Sequence, residues 1–297
     1  MTGVIIASMT RRTLTIATLL AATSCLADPG TAITWQPRKL TNGSPVLFQI
    51  QAPSGVQSLT AEWLAHDLSF YRLAGRKYWY ALGGVPLQTS AGSYQLKLTE
   101  TLRSGKVVHL QQTIKISKAS YPRITVKVAK QFTEPNAAQL ATIAADKGVK
   151  EKIFASVTAK KLWLGPFAAP VFAPVSDLFG TERVFNHEVQ SRHQGLDYAV
   201  PAGTPVRAVN HGIVLLARPM YFEGNCAVID HGQGLLSLYL HLSEFKVKEG
   251  DEVREGEVIA LSGGTGRATG AHLHLAVRWQ GVYLNPALLM KLPIPPE

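Results

Sequence analysis

The sequence has little cysteine, little charge for its size and no long apolar run. Its 297 residues include two cysteines, Cys25 and Cys226. That excludes a disulfide scaffold and any zinc cluster made of cysteines alone. Charged residues are 17% of the chain while apolar residues reach 46%, so the chain has enough apolar surface to bury a core. The apolar run near the amino end, Leu14 to Ala22, is shorter than the roughly 20 residues of a membrane-spanning helix. Acidic residues are the scarcer sign, 20 against 30 basic ones, for a net charge of +10. That surplus permits an anionic partner. No basic stripe with interleaved aromatics accompanies it, so nucleic acid is not an expected partner.

Arg11 and Arg12 precede the short apolar run, no acidic residue comes before Asp28, and small residues lead to Ala27. A basic region, a short apolar region and a small-residue cleavage zone form a signal peptide over residues 1–27. Met9 is an alternative start to Met1. Cleavage after Ala27 gives a soluble chain in the periplasm or cell envelope, with no transmembrane span and a charge of +8 after loss of the two arginines. Cleavage before Cys25 gives a lipid anchor instead. In the soluble form Cys226 is the last cysteine, and a monomer is expected.

Residues 28–132 read as a β-sandwich-like accessory domain. Val108, Leu110, Ile114 and Ile116 share one parity, and Ile124, Val126 and Val128 repeat the period of two. Turn signals such as Asn42-Gly43, Gly83-Gly84 and Ser104-Gly105 separate the runs. Residues 133–175 read as a helical connector and a proline-rich linker. Ala137, Ala138, Leu140, Ile143 and Ala144 have helical spacing, and Pro166, Pro170 and Pro174 follow. Residues 176–297 are strand-rich again, with candidate strands at 206–216, 227–230, 235–242, 258–261 and 272–278. The fold class is mainly β, with antiparallel sheets in both halves. A faint echo links Gly203-Thr204-Pro205-Val206 with Gly250-Asp251-Glu252-Val253.

Seven of nine histidines lie in the last 111 residues. In Ala271-His272-Leu273-His274-Leu275-Ala276-Val277-Arg278, strand alternation puts Leu273, Leu275 and Val277 on one face and both histidines on the other. In Leu235 to Ser243, the same alternation puts Tyr239 and His241 together, opposite the leucines. His193 and Asp197, four apart, share a side. Taken together, these five groups divide into three ligands and two spare histidines, a set that suits a catalytic zinc. Gly263 to Gly270 does not match a phosphate-binding fingerprint, and its glycines instead let backbone approach the site closely.

These motifs resemble the lysostaphin-type, or LytM-domain, zinc metallopeptidases. The matching residues are Phe179-Gly180 followed by Arg183, His193-x-x-x-Asp197, Tyr239-x-His241-Leu242-Ser243, and Gly264-x-Gly266 leading to Gly270-Ala271-His272-Leu273-His274. Ala271 stands where the family often has proline. The resemblance implies a barrel-sandwich hybrid domain in which His193, Asp197 and His274 bind Zn2+ and His241 and His272 act as the catalytic pair. Arg183, Asn186 and Tyr239 become candidate substrate-positioning residues. It implies an endopeptidase that cuts peptidoglycan stem-peptide cross-links. The alternative is a non-enzymatic wall-binding regulator of other cell-wall hydrolases.

Overall fold

The computed structural model describes residues 30–126, 129–155, 158–185 and 189–296. The expected signal peptide over residues 1–27, with Cys25, lies outside the described residues. The chain is mainly β, as expected, and among the described residues its strands form four sheets. A five-stranded sheet runs in the order 40–41, 107–117, 92–102, 56–63, 66–69. A four-stranded sheet runs 32–36, 45–51, 78–84, 71–72. The alternation read in 107–117 is real: Leu110, Ile114 and Ile116 are buried, while Val107 and His109 point outward.

The four-stranded sheet is the middle layer of the molecule. Gly83 and Gly84 are neighbours on one strand and so face opposite ways. A Cβ on Gly83 would meet Phe48 and Leu68, on the side of the five-stranded sheet. A Cβ on Gly84 would meet Leu284 at 2.5 Å and Trp279 at 3.1 Å, on the side of the carboxyl-terminal sheet. Both faces are therefore apolar, which explains the near-continuous run Pro45-Val46-Leu47-Phe48. One apolar cluster runs from Leu40 through Trp63 and Leu98 to Trp279 and Ile294. Polar contacts reinforce it: Asn285 N–H donates to the Gly43 carbonyl at 2.9 Å, and Gln280 Nε2 to that of Asp67 at 2.8 Å.

The carboxyl-terminal sheet has ten strands, with the path 175–177, 195–198, 273–279, 235–245, 224–230, 212–220, 252–253. Strand 258–262 pairs with 235–245 and with 205–207. The single strand expected over 206–216 is two strands, Pro205–Arg207 and Gly212–Met220. Between them Val209 N–H donates to the Tyr239 hydroxyl, and Asn210 accepts from Leu164 N–H. The faint echo corresponds to two like turns, with Gly203 and Gly250 at φ +87° and +92°.

A three-stranded sheet joins the two halves of the sequence. Strand Arg123–Val126 pairs in parallel with Glu182–Phe185, which pairs antiparallel with Val189–Arg192. The period of two at Ile124 and Val126 does mark a strand, but its partner lies beyond the linker and Ile124 is 38% exposed. Val128 lies outside the described residues.

Helix α1 spans Ala137–Ala155. It opens on a reciprocal cap: Gln139 N–H donates to Asn136 Oδ1 at 2.9 Å, and Asn136 N–H to Gln139 Oε1 at 2.8 Å. Its expected inner face is displaced, because Leu140 is 54% exposed. Val149, Ile153 and Phe154 do the packing, against a second cluster of Leu216, Met220, Cys226, Leu236 and Leu238. Asp146 accepts from Tyr221 N–H at 2.6 Å, and Lys150 pairs with Glu223. After α1, the proline-rich segment is tied to the carboxyl-terminal half: Ala168 N–H donates to Val209, and Pro170 accepts from Arg207. Among the described residues, no helix is long and apolar enough to cross a membrane.

Candidate metal centre

Strand pairing brings the polar side chains together. Asp177 pairs with Asp197, Asp197 with His274, and His274 with Leu240, so four residues form one row across four strands. Side chains in such a row share a face. His193 follows strand Val189–Arg192 and reaches the row from its end. His193 Nε2, Asp197 Oδ1 and His274 Nδ1 lie 2.7–3.1 Å apart pairwise. All three residues are buried. Gly195 makes this possible, because a Cβ there would come within 2.4 Å of His274 Nε2 and 2.6 Å of the Leu275 carbonyl.

The hydrogen count tests whether a cation fits. His193 Nδ1 lies 2.9 Å from the Leu178 carbonyl, which can only accept, so in the neutral ring Nε2 is bare. Asp197 Oδ1 carries no hydrogen. Burial opposes ionisation of this carboxyl, but the two adjoining histidines outweigh it and hold its pKa far below the carboxylate range. One hydrogen on His274 Nδ1 does not satisfy three mutual contacts. Lone pairs therefore converge on a common point, the arrangement a cation satisfies. Two imidazoles and one carboxylate suit Zn2+, and three protein ligands leave a position open. Among the described residues these are the three that cluster as metal donors.

His241 and His272 stand beside them, with ring centroids 4.7 Å apart. His241 Nδ1 donates to the Thr265 carbonyl at 2.8 Å, and His272 Nδ1 to that of Gly270 at 2.9 Å. Each bond fixes the tautomer and leaves Nε2 bare in the neutral ring. Burial, with His274 and His272 nearby, pushes the His241 pKa down to about 3. Burial also lowers that of His274. The loop that supplies both carbonyls is held by glycine contacts: a Cβ on Gly266, at φ +72°, would lie 2.2 Å from Gly224 N. The steric account of the glycine-rich stretch thus has a structural basis.

Two expectations fail here. His241 and Tyr239 do not share a side. His241 has φ +62°, and the pairing slips by one residue between Ala227↔Tyr239 and Asn225↔Leu242. This bulge turns His241 into the cleft with Leu238 and Leu240, while Tyr239 stays in the main core. Tyr239 is therefore not a substrate-positioning residue. It is 0% exposed, and its hydroxyl is engaged by Val209 N–H and Ser237 Oγ. Arg183 does border the cleft, but its guanidinium is committed to Asp177 and Asp197. Asn186 lies outside the described residues. Sequence spacing missed Asp177, which no histidine motif flags, and the close approach at Gly195, although Gly195 lies inside His193-x-x-x-Asp197.

The cleft around these groups has a volume of about 740 Å³ and reaches from the histidines to α1. Leu87, Ile124, Lys150 and Phe154 contribute to its walls, so the amino-terminal half helps to shape it.

The model of peptidase family M23 matches residues 191–286. The chain is 42% identical over 124 residues to the peptidoglycan DD-endopeptidase ShyA of Vibrio cholerae, covering 41% of this chain and 28% of that protein. It is 47% identical over 103 residues to the DD-carboxypeptidase/endopeptidase Mpg of Neisseria meningitidis, covering 35% and 24%. The chain thus spans about a quarter of the length of these curated relatives. A Pseudomonas aeruginosa crystal structure described as a peptidase M23 aligns with TM-score 0.65 and 27% identity, over 85% of this chain and 95% of that one. The matched segment holds His193, Asp197, His241, His272 and His274. Residues 191–286 of this chain are a domain of peptidase family M23.

Proposed function

We propose that this chain is a zinc-dependent endopeptidase that hydrolyses peptide cross-links in bacterial cell-wall peptidoglycan. The observation that carries the reading is the convergence of three buried donors beside two histidines with fixed tautomers. The names of the matched relatives support the substrate class. The export signal read in residues 1–27 fits a substrate outside the cytoplasm, in the periplasm or cell envelope.

His193 Nε2, Asp197 Oδ1 and His274 Nδ1 are the atoms that would hold the ion. When bound, Zn2+ supplies Lewis acidity, acidifying water and polarising a carbonyl oxygen at neutral pH. His272, the more exposed of the remaining pair, offers a bare Nε2 to accept the proton of the attacking water. The imidazolium so formed returns that proton to the leaving nitrogen. His241 enters neutral, since burial holds its pKa near 3. Its bare Nε2 accepts a hydrogen bond from the attacking water and helps to orient it. The apolar cleft wall at Leu238, Leu240 and Ile124 restricts water around the reacting bond.

The test is digestion of cross-linked muropeptides by the purified zinc-loaded protein, read by mass spectrometry. Cleavage at a cross-link that disappears in His274→Ala supports the reading. Binding to isolated peptidoglycan without bond cleavage, at full zinc loading, overturns it in favour of a wall-binding regulator.

A further inference from the structure

We propose that Asp177 and Arg183 form a positioning relay that orients the Asp197 carboxylate and the His193 ring for the metal. This rests on the zinc-site reading above. Arg183 Nε and Nη2 both donate to Asp177 Oδ2, at 2.8 and 2.5 Å. The same Nη2 donates to Asp197 Oδ2 at 2.5 Å. Oδ2 is the oxygen of Asp197 that faces away from His193 and His274, which both meet Oδ1. Arg183 therefore occupies one carboxylate oxygen and leaves the other for the ion. A monodentate carboxylate keeps a coordination position free, which a catalytic site needs and a closed structural site does not.

Asp177 serves the second ligand as well. Its Oδ2 lies 3.4 Å from His193 Nδ1, and the adjacent Leu178 carbonyl accepts that same N–H at 2.9 Å. A carbonyl and a carboxylate behind the ring fix its orientation and its tautomer. Both contacts come from one short strand, Val175–Asp177, and the residue after it. The strand is held by pairing with Gly195–Tyr198, where Asp177 is the cross-strand partner of Asp197 itself. The side chains of Asp177, Arg183 and Asp197 are all at most 20% exposed. Water therefore screens this chain of charges little, and each member constrains the next.

The relay gives Arg183 a task different from the substrate contact expected from sequence, and the two tasks separate experimentally. A substrate contact raises KM and leaves metal affinity alone. A positioning relay weakens metal binding and spares KM once zinc is saturating. The measurements are the Zn2+ dissociation constant of the metal-free chain, by competition with a chromophoric chelator, and KM and kcat at saturating zinc. Asp177→Asn keeps the shape and removes the charge. It is expected to weaken zinc binding about 10–100-fold, with KM changed less than twofold and the melting temperature of the metal-free chain retained. Arg183→Lys is expected to do the same. The double variant is expected to be little worse than the weaker single one, because both break one relay.

Zinc affinity within twofold of the parent in folded Asp177→Asn overturns the relay, as does a KM effect with affinity intact. If Asp177→Asn does not fold, Arg183→Lys decides by the same two numbers. A parent chain that binds zinc tightly but cleaves no wall peptide refutes the substrate reading and leaves the relay standing on its affinity data. A parent chain that binds no zinc refutes both.

Discussion

A glycine and a buried histidine illustrate what single residues decide here. Gly195 has no side chain because the His274 ring occupies the space a Cβ would take. Gly195→Ala is therefore expected to displace His274 and weaken zinc binding at least about tenfold. An unchanged zinc dissociation constant would show that the ring has room to move. His231 belongs to no catalytic group, but it is fully buried, bonded to the His211 carbonyl and to Ser237. Burial lowers its pKa from 6.5 to about 4. Between those values the unfolded chain takes up a proton and the folded chain does not. The stabilisation is therefore complete above pH 6.5 and is lost as pH falls towards 4, by up to about 3 kcal/mol. His231→Gln does not titrate, so its stability curve from urea unfolding is expected to be flatter between pH 7 and 5. Parallel curves for the two proteins would refute this.

At the scale of elements, the period of two was legible and the exceptions to it were not. Leu110, Ile114 and Ile116 lie inside because burial in a strand follows a local alternation that one segment carries by itself. The same rule placed His272 and His274 on the cleft face. It misplaced His241, because the left-handed turn there depends on distant groups: the Glu223 carbonyl that takes His241 N–H, and the Thr265 carbonyl that takes its ring. The partner of strand Arg123–Val126 was invisible for a similar reason, since pairing with Glu182–Phe185 is not encoded in either segment alone. In α1, the spacing located the helix but not its inner face. That face is set by what lies beneath it, including Tyr221 N–H, which needs the Asp146 carboxylate. Asp146→Ala leaves that N–H without an acceptor and is expected to cost about 1–3 kcal/mol in denaturant unfolding. A cost below about 0.5 kcal/mol would mean that water replaces the carboxylate.

For the whole molecule, the reading into two β-rich halves captured the composition of the fold but not its shared interior. Trp279, fully buried, packs its ring 5.1 Å from His66, and Leu284 fills the space above Gly84. Both halves therefore contribute to one core. Trp279→Ala is expected to cost about 3–5 kcal/mol. It is also expected to lower the midpoint of a single thermal transition, with circular dichroism and zinc release moving together. Two separated transitions, with one at its original temperature, would show that the halves unfold independently.

The middle sheet also has a consequence in time. A chain made from its amino end presents Leu47, Leu82 and Gly84 long before Trp279 and Leu284 exist to cover them. During synthesis, one face of that sheet is an unshielded apolar surface open to wrong partners. The last residues of the domain thus act as the closing piece of the fold, and truncation near the carboxyl end exposes a surface 200 residues away in sequence, as Gly84 is from Leu284.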